Sequence, residues 1–253
     1  MLVPWISSAN WAEDQIRSRG AFQRSLRSLK IALIGAGALG SMLAELLARS
    51  GANITAIIDG DILAAGNTCR HTITLREVGF AKASSLADRL KAIQPMCQPI
   101  AVNEAFPPDK VEWRTVIDHA DLIIECTGDD APLLALKDYP WPNAKRFVSL
   151  SLGWKASRLY CFSSHGLYFP AEIYREQYNS WKEVELSARN AEGLTWEGIG
   201  CWHPIFPARA EDVMLGAALA VKFIEACVLE DHCDRFQVYS LNPELLKQAS
   251  QYR

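Results

Sequence analysis

The first sixty residues alternate between short apolar runs and one amphipathic stretch. Lys30–Ile34 and Ile54–Ile58 are apolar runs of strand length, and Ser41–Ser50 between them repeats its leucines at helical spacing. Gly51 follows, as is typical at the end of a helix. This order predicts a β-α-β unit, which is the building block of a parallel sheet.

The rest of the chain continues the alternation of strands and helices. Helices are predicted over Phe80–Gln94, Val111–His119 and Glu211–Leu229, and strands over Pro99–Val102, Leu122–Thr127, Phe147–Leu152 and Arg235–Leu241. A hairpin is predicted at Arg158–Phe162 and Gly166–Phe169. The pattern favours an α/β fold, namely a Rossmann-like, mostly parallel sheet with helices on both faces.

Two stretches fall outside this alternation. Residues 1–29 carry aromatic and arginine side chains at the spacing of one or two amphipathic helices, which predicts an N-terminal helical extension to a domain formed by residues 30–253. Residues 171–205 show no clear period and are predicted to form a long crossover loop that carries a cysteine. Long ordered loops are usually functional.

Composition narrows the class of protein. Of the 253 residues, 49% are hydrophobic, and the chain has 26 Lys and Arg against 29 Asp and Glu. This composition is typical of a folded cytoplasmic domain. The near-neutral charge argues against a broad nucleic-acid-binding face. The apolar stretch Val213–Val221 is too short to span a membrane. The seven cysteines are irregularly spaced without a C-x-x-C pair, so neither a disulfide framework nor a four-cysteine zinc site is expected.

A glycine-rich turn between the first strand and helix predicts a nucleotide site. In Gly35-x-Gly37-x-x-Gly40, the glycines in order permit a tight turn, close approach of a phosphate to the backbone, and helix–strand packing. The helix N-terminus favours an anion. Asp59, at the end of the second strand, can accept hydrogen bonds from ribose hydroxyls. The alternative is that the glycines serve close packing alone.

Charged residues beyond the second strand favour a triphosphate over a dinucleotide. Asp61, Asn67, Arg70 and Lys82 follow Asp59 within one loop and the start of the next helix. Each alone is most simply a solvated loop residue. Together they offer an acid for Mg²⁺ and cations for the β- and γ-phosphates.

These motifs resemble a known family. Gly35–Gly40, Asp59-x-Asp61, Asn67-x-x-Arg70 and Val78-Gly79-x-x-Lys82, with Pro95 closing the helix, are similar to the adenylating domain of the ubiquitin-activating enzymes and their bacterial relatives of the ThiF, MoeB and HesA type. The resemblance is densest over residues 30–95 and extends more loosely to about 230. It implies ATP and Mg²⁺ as cofactors, and adenylation of the C-terminal glycine carboxylate of a small β-grasp, ubiquitin-like protein.

The resemblance also implies roles for individual residues. Asp59 would hold the ribose, Asn67, Arg70 and Lys82 would contact the phosphates, and Asp61 would lie near the metal. The family's aspartate after Cys-Thr is Gly128 in this chain. Asp129 is the expected metal-site substitute, with Asp130 as a further candidate.

Two family features bear on assembly and on zinc. The relatives' paired C-x-x-C motifs are missing, so no structural zinc is expected. Many members are homodimers in which an N-terminal arginine reaches the ATP of the partner. The candidates for that arginine are Arg17, Arg19 and Arg24, and the sequence leaves the choice open.

One cysteine is a candidate nucleophile, because some relatives transfer the acyl group from the adenylate to a cysteine. Cys201 follows glycines and precedes His203 near the end of the predicted crossover loop, where a thiol is accessible and can be partly ionised. The alternative is a small buried hydrophobe. Cysteines that fit that buried role are Cys126, Cys161 and Cys227. Cys69, in the nucleotide loop, is a second, weaker candidate.

A narrower resemblance suggests a partner. Gly-Cys-x-x-Pro-x-Phe around Cys201, together with Arg70-His71, is similar to the activating halves of bacterial proteins from anti-phage signalling (CBASS) operons. In those proteins the activating domain follows a ubiquitin-conjugating-like domain. The resemblance implies that the partner is the C-terminal tail of a cGAS-like nucleotidyltransferase rather than of a free ubiquitin-like protein.

Three other functions are compatible with the residues. One is a member of the same family that makes no thioester, such as a sulfur-carrier activator or a tRNA dehydratase. Another is an NAD(P)-dependent oxidoreductase, since Tyr178-x-x-x-Lys182 has the spacing seen in short-chain dehydrogenases. The last is a non-catalytic binding module, because Gly128 stands where an acid is expected.

Overall fold

A computed structural model describes residues 20–190, 207–230 and 234–241. The strands are β1 Lys30–Ile34, β2 Asn53–Ile58, β3 Ile100–Val102, β4 Leu122–Glu125, β5 Lys145–Leu152, β6 Arg158–Gly166 and β7 Arg235–Ser240. The α-helices are α1 Arg24–Arg27, α2 Ala38–Arg49, α3 Lys82–Ile93, α4 Val111–Asp118, α5 Asp130–Asp138, α6 Ala171–Asn190 and α7 Ala210–Glu230. Short 3₁₀ turns cover Ala65–Arg70, Leu75–Glu77 and Trp154–Ala156.

The seven strands form one sheet in the order β3-β2-β1-β4-β5-β6-β7. Strands β1 to β5 pair in parallel, whereas β6 and β7 pair antiparallel at one side. The chain moves outward from β1 through β2 to β3 and then returns to place β4 on the other side of β1. The carboxyl ends of β1 and β4 therefore flank a topological switch point, where ligands bind in open α/β sheets.

Helices cover both faces of the sheet, as the sequence predicts. Along β1, Ile31 and Leu33 face one core, which α2, α3 and α7 complete. Ala32 and Ile34 face the other core, which is completed by α4, α5 and α6. This alternation confirms the α/β, Rossmann-like fold class. None of the described helices combines the length and hydrophobicity that a membrane span requires.

The N-terminal region is described only from residue 20. Phe22 and Leu26 are buried in the core on the α2 and α3 face, so this part of the predicted extension packs onto the domain. The amide of Phe22 also donates to the carbonyl of Ser50 at 2.9 Å, where α2 ends. Residues 1–19 lie outside the described chain.

The structure corrects two predicted elements. Residues 171–190 of the predicted crossover loop form the helix α6, so only residues 191–206 remain between α6 and the residues before α7, and they lie outside the described chain. The predicted hairpin is instead the single strand β6, which pairs with β5 from Leu159 to Gly166. Ser163, which lies between the two predicted arms of the hairpin, is buried within the sheet, where its hydroxyl lies 3.3 Å from the sulfur of Cys227.

Candidate nucleotide site

A cavity of about 350 Å³ opens at the carboxyl ends of β1, β2 and β4, at the switch point of the sheet. The sequence-predicted residues that line it are Gly35, Gly37, Asp59, Asp61, Asn67, Arg70, Lys82 and Asp129. Apolar walls come from Ile34, Ile58, Phe106, Cys126 and Pro132. The structure thus gathers every predicted cofactor-binding residue except Gly40 around one space.

The three glycines have different surroundings. Gly35 has φ +94° and would place a β-carbon 2.9 Å from the backbone of Thr127, so both its conformation and its contacts require glycine. A β-carbon on Gly40 would lie 2.0 Å from the carbonyl oxygen of Gly35, so Gly40 packs beneath the turn. A β-carbon on Gly37 would meet nothing within 4 Å. Gly37 is therefore the position where a ligand can approach the backbone, beside the N-terminus of α2.

Asp59 organises the turn that faces the cavity. Its two carboxylate oxygens accept hydrogen bonds from the backbone amides of Ala36, at 2.7 Å, and Asp61, at 2.8 Å. Burial raises the pKa of Asp59, and these two hydrogen bonds oppose that shift. Since each oxygen has a second lone pair, the carboxylate can still accept a hydrogen bond from a ligand hydroxyl.

Lys82 and Asp61 form an ion pair at the cavity wall. The Nζ of Lys82 lies 2.7 Å from Oδ2 of Asp61, and the Lys82 amide donates to the Asp61 carbonyl at 2.9 Å. The Lys82 side chain is 12% exposed, whereas that of Asp61 is 69% exposed. A bound polyanion would therefore meet a lysine that is already held in place.

The 3₁₀ turn after β2 adds Asn67 and Arg70. The amide oxygen of Asn67 accepts from the backbone amide of Ala64 at 2.9 Å, which leaves its NH₂ group as the end that can donate to a ligand. Arg70 lines the cavity although its side chain is largely buried. Guanidinium and carboxamide donors at one wall are well suited to phosphate oxygens.

His71 is a site residue whose structural role sequence reasoning missed. Its Nε2 lies 2.6 Å from the carbonyl oxygen of Ala36, and its Nδ1 accepts from the amide of Ile73 at 3.1 Å. This arrangement fits a neutral ring that carries its proton on Nε2. Burial lowers the pKa of His71 to about 4, so the ring stays neutral near pH 7. His71 therefore ties the 3₁₀ turn to the glycine-rich turn.

The loop between β4 and α5 brings Asp129 to the cavity. Asp129 caps α5, since its Oδ1 accepts from the amide of Ala131 at 3.2 Å. Asp130 is the first residue of α5 and does not line the cavity. Carboxylate oxygens suit Mg²⁺, which keeps several waters and usually takes only one or two protein carboxylates. Asp61 and Asp129 fit that donor set, although the described residues hold no group of three potential metal ligands.

Glu125, also missed from the sequence, lies buried beneath the same loop. Its carboxylate accepts from the amide of Thr127 at 2.6 Å, from the Thr127 hydroxyl, and from the hydroxyl of Ser149 at 2.9 Å. Burial raises the pKa of Glu125, while these hydrogen bonds oppose the shift. Glu125 could not be chosen from sequence, because it looks like an ordinary polar residue until its partners are known. His71 belongs to a motif that the sequence singles out, but its hydrogen-bond partners could not be foreseen.

Several predicted residues lie elsewhere. Cys201, His203, Arg17 and Arg19 fall outside the described residues. Arg24 is exposed in α1, near the amino-terminal end of β1 and away from the cavity of its own chain. Cys69 is exposed. The four other described cysteines are buried, namely Cys97, Cys126, Cys161 and Cys227.

Comparisons of sequence relate the chain to known proteins. Residues 9–150 match the ThiF family model. The chain is 41% identical, over 222 residues, to the ATP-dependent ubiquitin transferase-like protein Cap2 of Enterobacter hormaechei subsp. hoffmannii (strain UCI 50). It is 36% identical, over 118 residues, to the tRNA threonylcarbamoyladenosine dehydratase of Escherichia coli (strain K12). These alignments cover 88% and 41% of this chain, but only 36% and 44% of the relatives.

Solved structures show the same fold. E. coli tRNA N6-threonylcarbamoyladenosine dehydratase in complex with AMP has a TM-score of 0.55 at 22% identity, covering 82% of this chain and 89% of that one. E. coli MccB in complex with ATP has a TM-score of 0.55 at 14% identity, covering 86% and 64%. At these identities the likeness concerns the fold alone.

Proposed function

The chain belongs to the ThiF family, and we propose that it is an adenylating enzyme that uses ATP and Mg²⁺ to activate the C-terminal carboxylate of a protein. The observation that carries the proposal is the single cavity that joins the open backbone at Gly37 to Asp59, Arg70 and Lys82. A cavity with cations, carboxylates and an apolar wall at the switch point of the sheet suits a nucleoside triphosphate.

Each wall of the cavity supplies a different contact in this proposal. Asp59 accepts from the ribose hydroxyls, while Asn67, Arg70 and Lys82 donate to phosphate oxygens. Asp61 and Asp129 would hold the Mg²⁺, which neutralises phosphate charge when bound. The fit rests on the donor set and on the space at Gly37, which a β-carbon would fill.

The reaction brings two anions together. An oxygen of the carboxylate attacks the α-phosphorus, and the bond from that phosphorus to the bridging oxygen breaks, so that pyrophosphate leaves with the electron pair. The attacking group is already ionised, so the chain need not supply a base. Arg70, Lys82 and the N-terminus of α2 would stabilise the negative charge of the transition state. They would also keep the attacking oxygen in line with the departing pyrophosphate.

ATP–pyrophosphate exchange tests this proposal, with synthetic C-terminal peptides of ubiquitin-like proteins and cGAS-like nucleotidyltransferases as the acceptors. Exchange is expected only with an acceptor peptide, and Lys82→Ala is expected to lower its rate by about 100-fold or more. Lys91→Ala is the matched control, because Lys91 also lies on α3 but pairs with Asp88 at the surface. Equal exchange by the Lys82 and Lys91 variants would contradict the proposed phosphate contact.

We further propose that the acyl group passes from the adenylate to Cys201. The thiolate would attack the carbonyl carbon, the carbon–oxygen bond to AMP would break, and the thiol proton would go to solvent. Support comes from the described end of α6, which precedes residues 191–206 in the chain. Trp154, which contacts the last turns of α6 through Glu185, lies just beyond the carboxyl end of β5, at the cavity edge of the sheet.

A thiol-labile adduct tests the cysteine. Once an acceptor peptide supports exchange, the wild-type chain is expected to form an adduct that dithiothreitol releases, and Cys201→Ala is expected to form none while exchange continues. Cys69→Ala is the control, because Cys69 is the exposed cysteine beside the nucleotide turn. Persistence of the adduct in Cys201→Ala would refute the assignment of Cys201. Full turnover by the wild-type chain without any adduct would favour the alternative function, in which the chain adenylates its substrate but forms no thioester.

The partners and setting of the chain are also part of the proposal. The activated protein would be a cGAS-like nucleotidyltransferase or a ubiquitin-like protein. A ubiquitin-conjugating-like domain, either fused N-terminally or separate, would receive the acyl group from the thioester. Residues 30–253 would form the adenylating domain and residues 1–29 an extension to it. A cytoplasmic homodimer, with an arginine from residues 1–29 reaching the partner's site, completes the proposal. The support for this class of partner is the Cap2 alignment, which covers 88% of this chain.

A further inference from the structure

One residue of the glycine-rich turn is held by other parts of the chain at both its amide and its carbonyl. The amide of Ala36 donates to Oδ2 of Asp59 at 2.7 Å, and its carbonyl oxygen lies 2.6 Å from Nε2 of His71. Asp59 follows β2, and His71 follows the 3₁₀ turn Ala65–Arg70. The next residue, Gly37, lines the cavity. The chain is therefore held immediately before the backbone that a ligand can approach.

The contact to the carbonyl matters because glycine does not fix the peptide that precedes it. A trans peptide is planar, so the carbonyl of Ala36 and the amide N–H of Gly37 point in opposite directions. Glycine tolerates backbone conformations that other residues avoid, so this peptide could turn over with little steric penalty at Gly37. It would then present a carbonyl oxygen where the N–H now lies. Backbone N–H groups bind anions, whereas a carbonyl oxygen repels them.

The ring of His71 is committed to the backbone. Its Nδ1 accepts from the amide of Ile73 at 3.1 Å, which leaves the ring proton on Nε2 for donation to Ala36. The side chain is buried, and burial lowers the pKa of His71 to about 4, so the ring is neutral near pH 7. His71 lines the cavity, yet both of its nitrogen atoms already have protein partners. The ring is thus placed to hold the turn rather than to contact a ligand.

His71 also relates the turn to the cationic wall of the cavity. It directly follows Arg70, which lines the cavity from the 3₁₀ turn. The amide of Thr72 lies 3.4 Å from Oγ of Ser41 in the first turn of α2, so the chain after Arg70 meets the start of α2 at a second point. Donors that are held in place before a ligand arrives bind it with less ordering cost.

We propose that His71 is a positioning residue for the nucleotide, because its hydrogen bond holds the peptide between Ala36 and Gly37 with the carbonyl toward the ring and so fixes the backbone that meets the phosphates. This inference rests on the proposed function, which brings ATP to this cavity. It adds a residue that sets the affinity for phosphate groups without touching them. Loss of the hydrogen bond should weaken binding of ATP but not of adenosine, which carries no phosphate.

Two amide side chains separate the hydrogen bonds of the ring. The carboxamide of glutamine reaches the position of Nε2 and can donate to Ala36, whereas that of asparagine ends near the position of Nδ1 and cannot. His71→Asn therefore removes the contact under test, and His71→Gln is the matched variant that retains it. Both lose the imidazole and keep a polar amide. His119→Asn, at an exposed position, controls for the substitution itself.

Ligand affinities of the full chain test the inference, by calorimetry for ATP·Mg²⁺ and by NMR titration for adenosine. The Kd of ATP·Mg²⁺ should rise by about tenfold or more in His71→Asn and stay within about threefold of wild type in His71→Gln and His119→Asn. The Kd of adenosine should stay within about twofold in all three variants. Equal ATP·Mg²⁺ affinity in His71→Asn and wild type would overturn the inference. An equal loss of affinity for ATP·Mg²⁺ and adenosine would also overturn it, because it would indicate a general loss of structure.

Hydrogen exchange of the nucleotide-free chain separates this inference from the proposed function. The amides of Ala36 and Gly37 should exchange about tenfold faster or more in His71→Asn than in His71→Gln, whereas amides of β5 should not change. Failure of the wild-type chain to bind ATP·Mg²⁺ would refute the proposed nucleotide site, and the exchange rates would then decide alone whether His71 holds the turn. Equal exchange in the two variants would refute the role of His71 even if ATP·Mg²⁺ binds.

The imidazole of the wild-type chain provides a measurement that needs no variant. Its ¹⁵N chemical shifts at pH 7 should show a neutral ring with the proton on Nε2, because Nδ1 accepts from Ile73. A proton on Nδ1 would leave Nε2 without a hydrogen to donate to Ala36 and would overturn the inference.

Discussion

His71 shows how a single buried side chain couples the nucleotide turn to pH. Its pKa is about 4 in the folded chain and about 6.5 in a model peptide, so the unfolded chain binds more protons between those values. The stability that the neutral ring contributes is therefore present above pH 6.5 and is lost as the pH falls toward 4.

The first prediction is that His71→Gln flattens part of the pH dependence of unfolding. Between pH 7.5 and pH 5, wild type should lose about 2 kcal/mol more of its unfolding free energy than His71→Gln, measured by urea denaturation at each pH. The raised pKa values of Asp59 and Glu125 act in both proteins and cancel. His119→Gln, at an exposed position, serves as the control. Parallel pH profiles for wild type and His71→Gln would contradict the assignment of a buried neutral ring.

The second prediction separates two glycines of the same motif. Gly40→Ala would force a β-carbon against the carbonyl oxygen of Gly35 and should lower the unfolding free energy by about 3 kcal/mol or more. The β-carbon of Gly37→Ala would lie in open space, so this variant should lower the unfolding free energy by less than about 1 kcal/mol. It should nevertheless weaken ATP·Mg²⁺ binding at least tenfold, because the β-carbon would occupy the space next to the backbone. Urea denaturation and calorimetry measure the two effects. Normal ATP affinity in Gly37→Ala would argue against a phosphate at that backbone.

At the scale of elements, α5 illustrates one residue with two functions. Asp129 caps the helix through Oδ1 and also lines the cavity, while the exposed Asp130 follows it in the first turn. Asparagine preserves an N-cap, whereas alanine removes it at a cost of about 1 kcal/mol. The two substitutions therefore separate the structural function from the proposed metal contact.

The third prediction uses that difference. Asp129→Asn should keep the unfolding free energy within about 0.5 kcal/mol of wild type but raise the Mg²⁺ concentration needed for half-maximal pyrophosphate exchange by tenfold or more. Asp129→Ala should have both a lower unfolding free energy and a higher Mg²⁺ requirement. Asp130→Asn should change neither quantity. An unchanged Mg²⁺ requirement in Asp129→Asn would show that the family's missing acid at Gly128 has no replacement at Asp129.

Elements with aliphatic patterns are predictable from the sequence, and those with mixed patterns are not. The bounds of β1 agree with its prediction, and α2, α3 and α7 differ by a few residues at their ends. By contrast, α6 buries Ala171, Tyr174 and Glu185 along one side, and a stripe of aromatics with a carboxylate does not show the usual apolar period. In the sequence alone, a buried glutamate cannot be distinguished from a surface charge, because its hydrogen-bond donors lie on another element.

At the scale of the whole molecule, the parallel sheet explains why the site is more predictable than its supports. Residues that follow neighbouring parallel strands meet at one edge, so the motif after β1 and the charges after β2 had to converge. Glu125 also accepts from Ser149 of β5, and Glu185 accepts from Trp154 between β5 and β6, and no local pattern links either of these pairs. Sequence therefore indicates which residues meet at the cavity, whereas the structure identifies which residues hold them there.

The last prediction treats ligand binding as a property of the whole fold. Because the cavity is built from both sides of the switch point, a ligand that binds only the folded chain should stabilise all of it. ATP·Mg²⁺ at a hundred times its Kd should raise the unfolding free energy by about 2.7 kcal/mol. For a chain of this size, that increase raises the Tm by roughly 5–10 °C. Asp59→Ala should lose most of that rise, because the carboxylate holds the amides of Ala36 and Asp61. NAD⁺ at the same concentration should raise the Tm by less than 1 °C or so. A larger rise with NAD⁺ than with ATP·Mg²⁺ would favour the oxidoreductase that Tyr178-x-x-x-Lys182 suggests, and would refute an adenylating site at this switch point.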